Sequence, residues 1–373
     1  MVTTMEAQFS YDHGENGPAL APGQHRGRGA RSNHSGRHEP LKRSWFDDGW
    51  QSLEDLPKLK TEVTVETART VITRNNSPDL GFDRSINAYR GCEHGCAYCY
   101  ARPGHANMGL SPGIDFESRL FAKTNAPEIL RKTLSNPAYR PCTIALGTNT
   151  DPYQPVERQY RITRQILEVL NEFSHPVGIV TKSALVVRDM DILQSMAERG
   201  LVKVALSITT LDHRLSRSME PRASAPAKRL GALEILSGAG IPTAVMVAPV
   251  IPAVNDAEIE KILAAASVAG VSEAGYIMLR LPLEVRGIFT QWLKSEMPDR
   301  ADHVLSLLRS IHNGKTYDPA WGRRHTGTGP YAWSIGRRFE IACKRLKLNE
   351  RSYKLTCEHF ARPPQPGEQL ALF

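Results

Sequence analysis

From about Ser85 to Leu283, short apolar runs rich in β-formers alternate with helix-length amphipathic segments. That rhythm is the signature of successive βα units around a parallel sheet. The strand candidates are Ser85–Tyr89, Thr143–Leu146, Val177–Val180, Val202–Ile208, Thr243–Val247 and Tyr276–Leu279. Helices are predicted over Pro155–Phe173, Arg188–Arg199, Ala225–Ala239 and Asp256–Val268, with Gly200, Gly240 and Gly270 where C-terminal caps belong. Six units fall short of the eight that close a full barrel, so the expected fold is α/β, an open partial TIM barrel, (βα)6, with functional residues at the C-terminal ends of its strands.

Around this unit the chain divides further. Residues 1–48 are rich in Gly, Arg, His, Ser and Asn, nearly devoid of aliphatic side chains, and are expected to form a flexible basic arm. Within it, Arg26-Gly27-Arg28-Gly29-Ala30-Arg31 suits loose phosphate contact or a solubilising tail equally. Residues 49–84 lead into the barrel at 85–283, and residues 284–373 form a mostly helical extension expected on the barrel's open side.

The chemistry is concentrated in Gly91-Cys92-Glu93-His94-Gly95-Cys96-Ala97-Tyr98-Cys99-Tyr100, directly after the first strand candidate. Six cysteines in 373 residues are too few for a disulfide scaffold, and three crowded together read as a metal site in a reducing compartment, the cytoplasm. Three thiolates on one loop fit three corners of an iron-sulfur cube and leave a fourth iron without a protein ligand. Zinc would need a fourth donor, which His94 or Cys142 would have to supply. No run reaches the ~18 apolar residues needed to span a bilayer, and no apolar segment follows a basic start.

Cys-x3-Cys-x-aromatic-Cys on the first βα loop of a partial barrel resembles the radical S-adenosylmethionine (SAM) superfamily. The resemblance implies a [4Fe-4S] cluster on Cys92, Cys96 and Cys99, with SAM as second cofactor chelating the remaining iron. It implies reductive cleavage of SAM to a 5'-deoxyadenosyl radical, with the electron supplied by a partner such as flavodoxin or ferredoxin. Tyr98 then lies near the adenine.

The stretch from Ser85 to Leu283 is similar to the spore photoproduct lyase branch, often described as DNA repair photolyase-like. On that likeness Thr148, Asn149 and Asp151 hold the methionyl amino group, although Thr150 or Asp151 would serve equally as a helix N-cap. Lys182 and Ser207 match positions that contact the carboxylate and ribose. Where the lyase carries a hydrogen-donating cysteine, this chain has Gly147. Cys142, five residues earlier, is ~16 Å from the strand's mouth and too far to replace it.

Lys and Arg number 47 against 39 Asp and Glu, a formal charge of +8 that favours polyanionic partners such as DNA or RNA. Arg323-Arg324-His325 beside Trp321, and Arg337-Arg338 near Trp333 and Phe339, interleave basic and aromatic residues as nucleic-acid contacts do. Cys343 is expected to be buried, and Cys357-Glu358-His359 to be an ordinary thiol and its neighbours. Two other readings stand beside nucleic-acid chemistry: radical modification of a protein or small metabolite, and a non-catalytic metal or iron-sulfur protein that binds nucleic acid.

Overall fold

The computed structural model describes residues 27–39 and 59–363. Ten strands are present among the described residues: β1 Glu62–Val65, β2 Ile72–Arg74, β3 Arg84–Ile86, β4 Tyr89–Arg90, β5 Arg119–Ala122, β6 Ile144–Leu146, β7 Val177–Thr181, β8 Val202–Ser207, β9 Thr243–Val250 and β10 Glu273–Met278. Seven form one sheet in the order β10-β9-β8-β7-β6-β3-β2. The six from β3 to β10 run parallel, and β2 adds an antiparallel edge against β3. The expected open barrel of six βα units is therefore the fold, with one edge strand that periodicity did not disclose.

Apolar side chains of the sheet and its covering helices form one continuous core. The helices Met190–Ala197, Pro226–Gly238 and Ile259–Val268 end as expected. In each case the amide after the glycine reaches back five residues: Leu201 to Met196, Ile241 to Leu236 and Val271 to Ala266.

Two elements differ from the sequence reading. The single strand expected over Ser85–Tyr89 is β3 and β4, which belong to different sheets. After Ile86 the chain leaves the barrel, and Tyr89–Arg90 pairs with β5 in a small sheet ordered β1-β5-β4. The helix expected over Pro155–Phe173 is two, Glu157–Tyr160 and Ile162–Glu172, parted at Arg161, whose φ is 52°. The buried Glu157 carboxylate explains the break, since it accepts from the Thr163 and Arg164 amides at 3.1 and 3.3 Å and caps the second helix.

The flexible-arm expectation needs correction over residues 27–39; residues 1–26 and 40–48 lie outside those described. The Arg28, Gly29 and Ala30 amides all donate to the buried Glu117 carboxylate. Arg31 and Arg37 pair with Glu296 and Glu284 on the first helix of the extension. Composition misleads here because the segment is held by a buried acid, a force that hydrophobicity does not register.

The extension contains helices Val285–Glu296, Ala301–Ile311 and Gly329–Arg345. Between the last two, residues 312–328 join the sheet's two edges. The Met278 amide of β10 donates to the His325 carbonyl at 2.8 Å. The neighbouring Arg324 is bidentate to Asp79, at 2.7 and 2.9 Å, in the turn between β2 and β3. The barrel that six units leave open is thus bridged by a loop.

Candidate active site at the barrel mouth

The cysteine loop is fixed from several sides by backbone bonds. The Cys92 amide donates to the Phe116 carbonyl at 2.9 Å, and the Ala97 amide to the Met219 carbonyl at 3.0 Å. The fully buried Arg102 guanidinium donates to the carbonyls of Cys96, Pro112 and Gly113 at 2.8 to 3.0 Å and pairs with the equally buried Glu117 at 2.5 Å. The docked N-terminal segment presses Gly29 against the Gly95 carbonyl so closely that neither a Cβ nor a water fits between them. Glu93 completes the frame, receiving the Thr61 hydroxyl at 2.6 Å and the Arg222 guanidinium at 2.8 Å.

All three thiols are free of disulfides, with Cys92 and Cys96 buried and Cys99 partly so. Burial pushes each of them up in pKa; the Asp151 carboxylate and the other two sulfurs raise Cys92 further, while Glu220 raises Cys96. Three crowded thiols of this kind become thiolates when a metal charge compensates them. Among the described residues, no three His, Cys, Asp or Glu side chains are grouped to hold one metal ion. His94 instead faces Asp151, with Nδ1 3.4 Å from its carboxylate, and Cys142 lies beside Asp83 and Arg84 at the other end of β6. Both candidates for a fourth zinc donor thus have other partners, whereas a cube takes each thiolate on a different iron and asks for no fourth donor.

Asp151, at the end of β6, joins this loop to the next strand. Its carboxylate accepts the Thr181 hydroxyl at 2.6 Å, the Lys182 amide at 2.7 Å and the Tyr153 amide at 2.9 Å. These donors and His94 hold the carboxyl down to about 2 against the pull of burial. The Lys182 ammonium lies 5.8 Å from the Tyr98 ring centroid and makes no ion pair among the described residues. It is close enough to Cys96, Cys99 and Glu220 to favour their charged forms.

Tyr98 is buried, and its hydroxyl donates to Glu220. The other sequence candidates are more dispersed. Ser207 is buried at the end of β8, its carbonyl taking the Arg229 guanidinium at 2.8 Å. Thr148 turns to the Asn87 amide group at 3.2 Å, while Asn149 is exposed and held through its own backbone amide by Asn87 at 2.9 Å.

Sequence reasoning missed the supports of the site. Glu220 and Arg229 form a fully buried ion pair, and Thr209 adds a hydroxyl to Glu220 at 2.6 Å. Asn87, at the point where the chain leaves β3, was equally silent. Asn87 is about 60 positions from its partners, Glu220 and Arg229 are nine apart, and none of them carries a motif. Tyr100, next to Cys99, was within reach of the motif: its hydroxyl donates to the Thr148 carbonyl, and its ring lies beneath Arg280.

The basic-aromatic clusters of the extension are largely spent internally. Arg324 pairs with Asp79 and Arg338 with Glu260, while Phe339 is buried against Tyr276 with ring centroids 4.8 Å apart. Trp321, Trp333, Arg323 and Arg337 remain exposed, each arginine beside an acid of its own segment. Cys343 is buried as expected, and Cys357 is partly buried.

Comparison with known proteins agrees with this geometry. A family model described as the radical SAM superfamily matches residues 86–266. An uncharacterized protein of Mycobacterium tuberculosis (strain H37Rv) is 36% identical over 299 residues, covering 80% of this chain and 82% of that protein. One from Methanocaldococcus jannaschii is 30% identical over 202 residues, covering 53% and 71%. Among solved structures, a spore photoproduct lyase variant with bound AdoMet and dinucleoside spore photoproduct superposes with a TM-score of 0.54 at 17% identity, covering 76% of this chain and 79% of that one. Likeness at that identity is likeness of fold. No helix among the described residues is long and apolar enough to cross a membrane.

Proposed function

The chain belongs to the radical SAM superfamily, and from that membership we propose that it holds a [4Fe-4S] cluster through Cys92, Cys96 and Cys99 and acts on nucleic acid. The observation that carries the first part is the placement of three disulfide-free thiols on the loop that opens the mouth of a partial barrel. Cluster and SAM together supply one-electron cleavage of the sulfonium and a 5'-deoxyadenosyl radical able to take hydrogen from carbon.

The residues of this chain position and shelter that chemistry. Lys182, a cation without an ion pair among the described residues, suits the SAM carboxylate. Thr148, Asn149 and Asp151 line the end of β6, where the methionyl amino group would meet their oxygens, and Asp151 keeps its charge there. Ser207, at the end of the neighbouring strand but one, would meet the ribose. Tyr98 presents a ring beside Lys182 for the adenine while its hydroxyl anchors it to Glu220.

Nucleic acid as substrate is supported by the formal charge of +8 and by the fold shared with a lyase that binds a dinucleoside lesion. Repair of that lesion is not part of the proposal, because Gly147 offers no hydrogen donor. A cytoplasmic setting and a flavodoxin or ferredoxin as reductant fit free thiols and one-electron chemistry. The test is anaerobic reconstitution with SAM and reductant, scoring 5'-deoxyadenosine with DNA, RNA, peptide or metabolite mixtures. Stimulation by oligonucleotides supports the reading; stimulation by peptides or metabolites alone selects the competing substrate class.

A further inference from the structure

Two residues beyond β10, Arg280 lies at the mouth with its guanidinium carbon 5.1 Å from the Tyr100 ring centroid and 5.9 Å from that of Tyr317. Tyr100 directly follows the third cysteine, so the contact carries a cation from one edge of the sheet to the loop near the other. Arg280 Nη1 is 3.1 Å from His325 Nε2 and Nη2 is 3.4 Å from the Tyr317 hydroxyl. A guanidinium only donates, so His325 accepts through Nε2 and is the neutral tautomer with its proton on Nδ1. Burial and the Arg280 charge both lower the His325 pKa, consistent with that form.

The contrast with the neighbouring arginine is informative. Arg324 is neutralised by Asp79, whereas Arg280 makes no ion pair among the described residues and is surrounded by two phenol rings and an uncharged imidazole. Its Nε is buried and has no hydrogen-bond partner among the described residues, an unfavourable state when nothing compensates it. A partly buried guanidinium held by flat rings, with no acid paired to it among the described residues, is available to an anion. The same bridging loop exposes the indole of Trp321, a surface for base stacking.

We propose that Arg280 is an oxyanion receptor at the barrel mouth that takes one phosphate of a single-stranded nucleic-acid substrate and so sets the strand's register against the cysteine loop. The inference rests on the nucleic-acid reading above and adds to it the residue and the contact.

The test uses the full-length reconstituted protein and a labelled single-stranded oligonucleotide, with binding followed by fluorescence anisotropy across a salt series. Arg280→Gln should weaken binding about 10-fold at low salt and flatten the log-log salt slope by about 0.7, the share of one phosphate on a single strand. Arg280→Lys should keep the slope and lose several-fold in affinity, because the planar fork is gone while the charge stays. The lysine variant decides if Arg280→Gln does not fold by thermal melting.

Unchanged affinity and slope in the variants overturn the proposal. So does loss of the SAM-induced change in the cluster's EPR signal with oligonucleotide affinity intact, which assigns Arg280 to the cofactor's carboxylate. Wild-type protein that shows no salt-dependent oligonucleotide binding overturns this inference together with the nucleic-acid substrate, whereas deoxyadenosine formation still reports separately on the radical chemistry.

Discussion

The position that a Cβ would take on Gly147 falls on the carbonyl oxygen of Val180, well inside contact distance, and Gly147 itself has a φ of +88°. The end of β6 therefore admits no side chain at Gly147, the position that the sequence likeness matches to the lyase's hydrogen-donating cysteine. Gly147→Cys is expected to cost at least about 2 kcal/mol, since left-handed backbone alone costs a substituted residue about 1–2 kcal/mol. Urea denaturation reads the loss. The variant should not gain clean thymine repair on ultraviolet-irradiated DNA, and a stable Gly147→Cys protein that repairs efficiently would refute the steric account.

Glu117 ties the N-terminal segment, Arg102 and the cysteine loop into one buried unit. Glu117→Gln leaves Arg102 buried without its counter-charge, for which about 3–5 kcal/mol of destabilisation is typical. Iron retained per chain after anaerobic reconstitution should fall with it. Full retention at wild-type stability would show that the loop is held by its other bonds alone.

Tyr98→Phe separates two roles for one ring. Removing the hydroxyl leaves Glu220 with Arg229 and Thr209, so a loss of about 1–2 kcal/mol in stability is expected with SAM affinity nearly unchanged. Ring removal in Tyr98→Leu should lower SAM affinity as well. Equal SAM affinity in both variants would take Tyr98 away from the adenine.

Much of this was legible in the sequence, and for identifiable reasons. The cysteine triplet, the six parallel strands and the caps at Gly200, Gly240 and Gly270 are local patterns, and local pattern survives in one dimension. Asn87, Glu220 with Arg229, and Arg102 with Glu117 form polar pairings outside any motif, whose members look like ordinary surface residues until the fold places them. The arm around Arg28 was misjudged for the same reason: its binding partner, Glu117, is 89 positions away. The strand at Ser85–Tyr89 was drawn too long because β propensity does not show that Asn87 turns the chain from one sheet to another.

Lys182→Ala tests the cofactor's carboxylate site. Because the ammonium makes no ion pair among the described residues, the melting temperature should hardly move, while SAM affinity should fall about tenfold or more, the worth of one charge-assisted bond. A large drop in stability with unaltered SAM affinity would make Lys182 a structural cation instead.

The account depends most directly on one iron of the proposed cluster being left free for SAM. EPR of the anaerobically reconstituted, reduced protein, recorded before and after addition of SAM, reports on that corner alone. The expected result is a cubane signal that changes on addition and disappears in the Cys92/Cys96/Cys99 triple alanine variant. A signal indifferent to SAM, or zinc in place of iron in the oxygen-free protein, would contradict it.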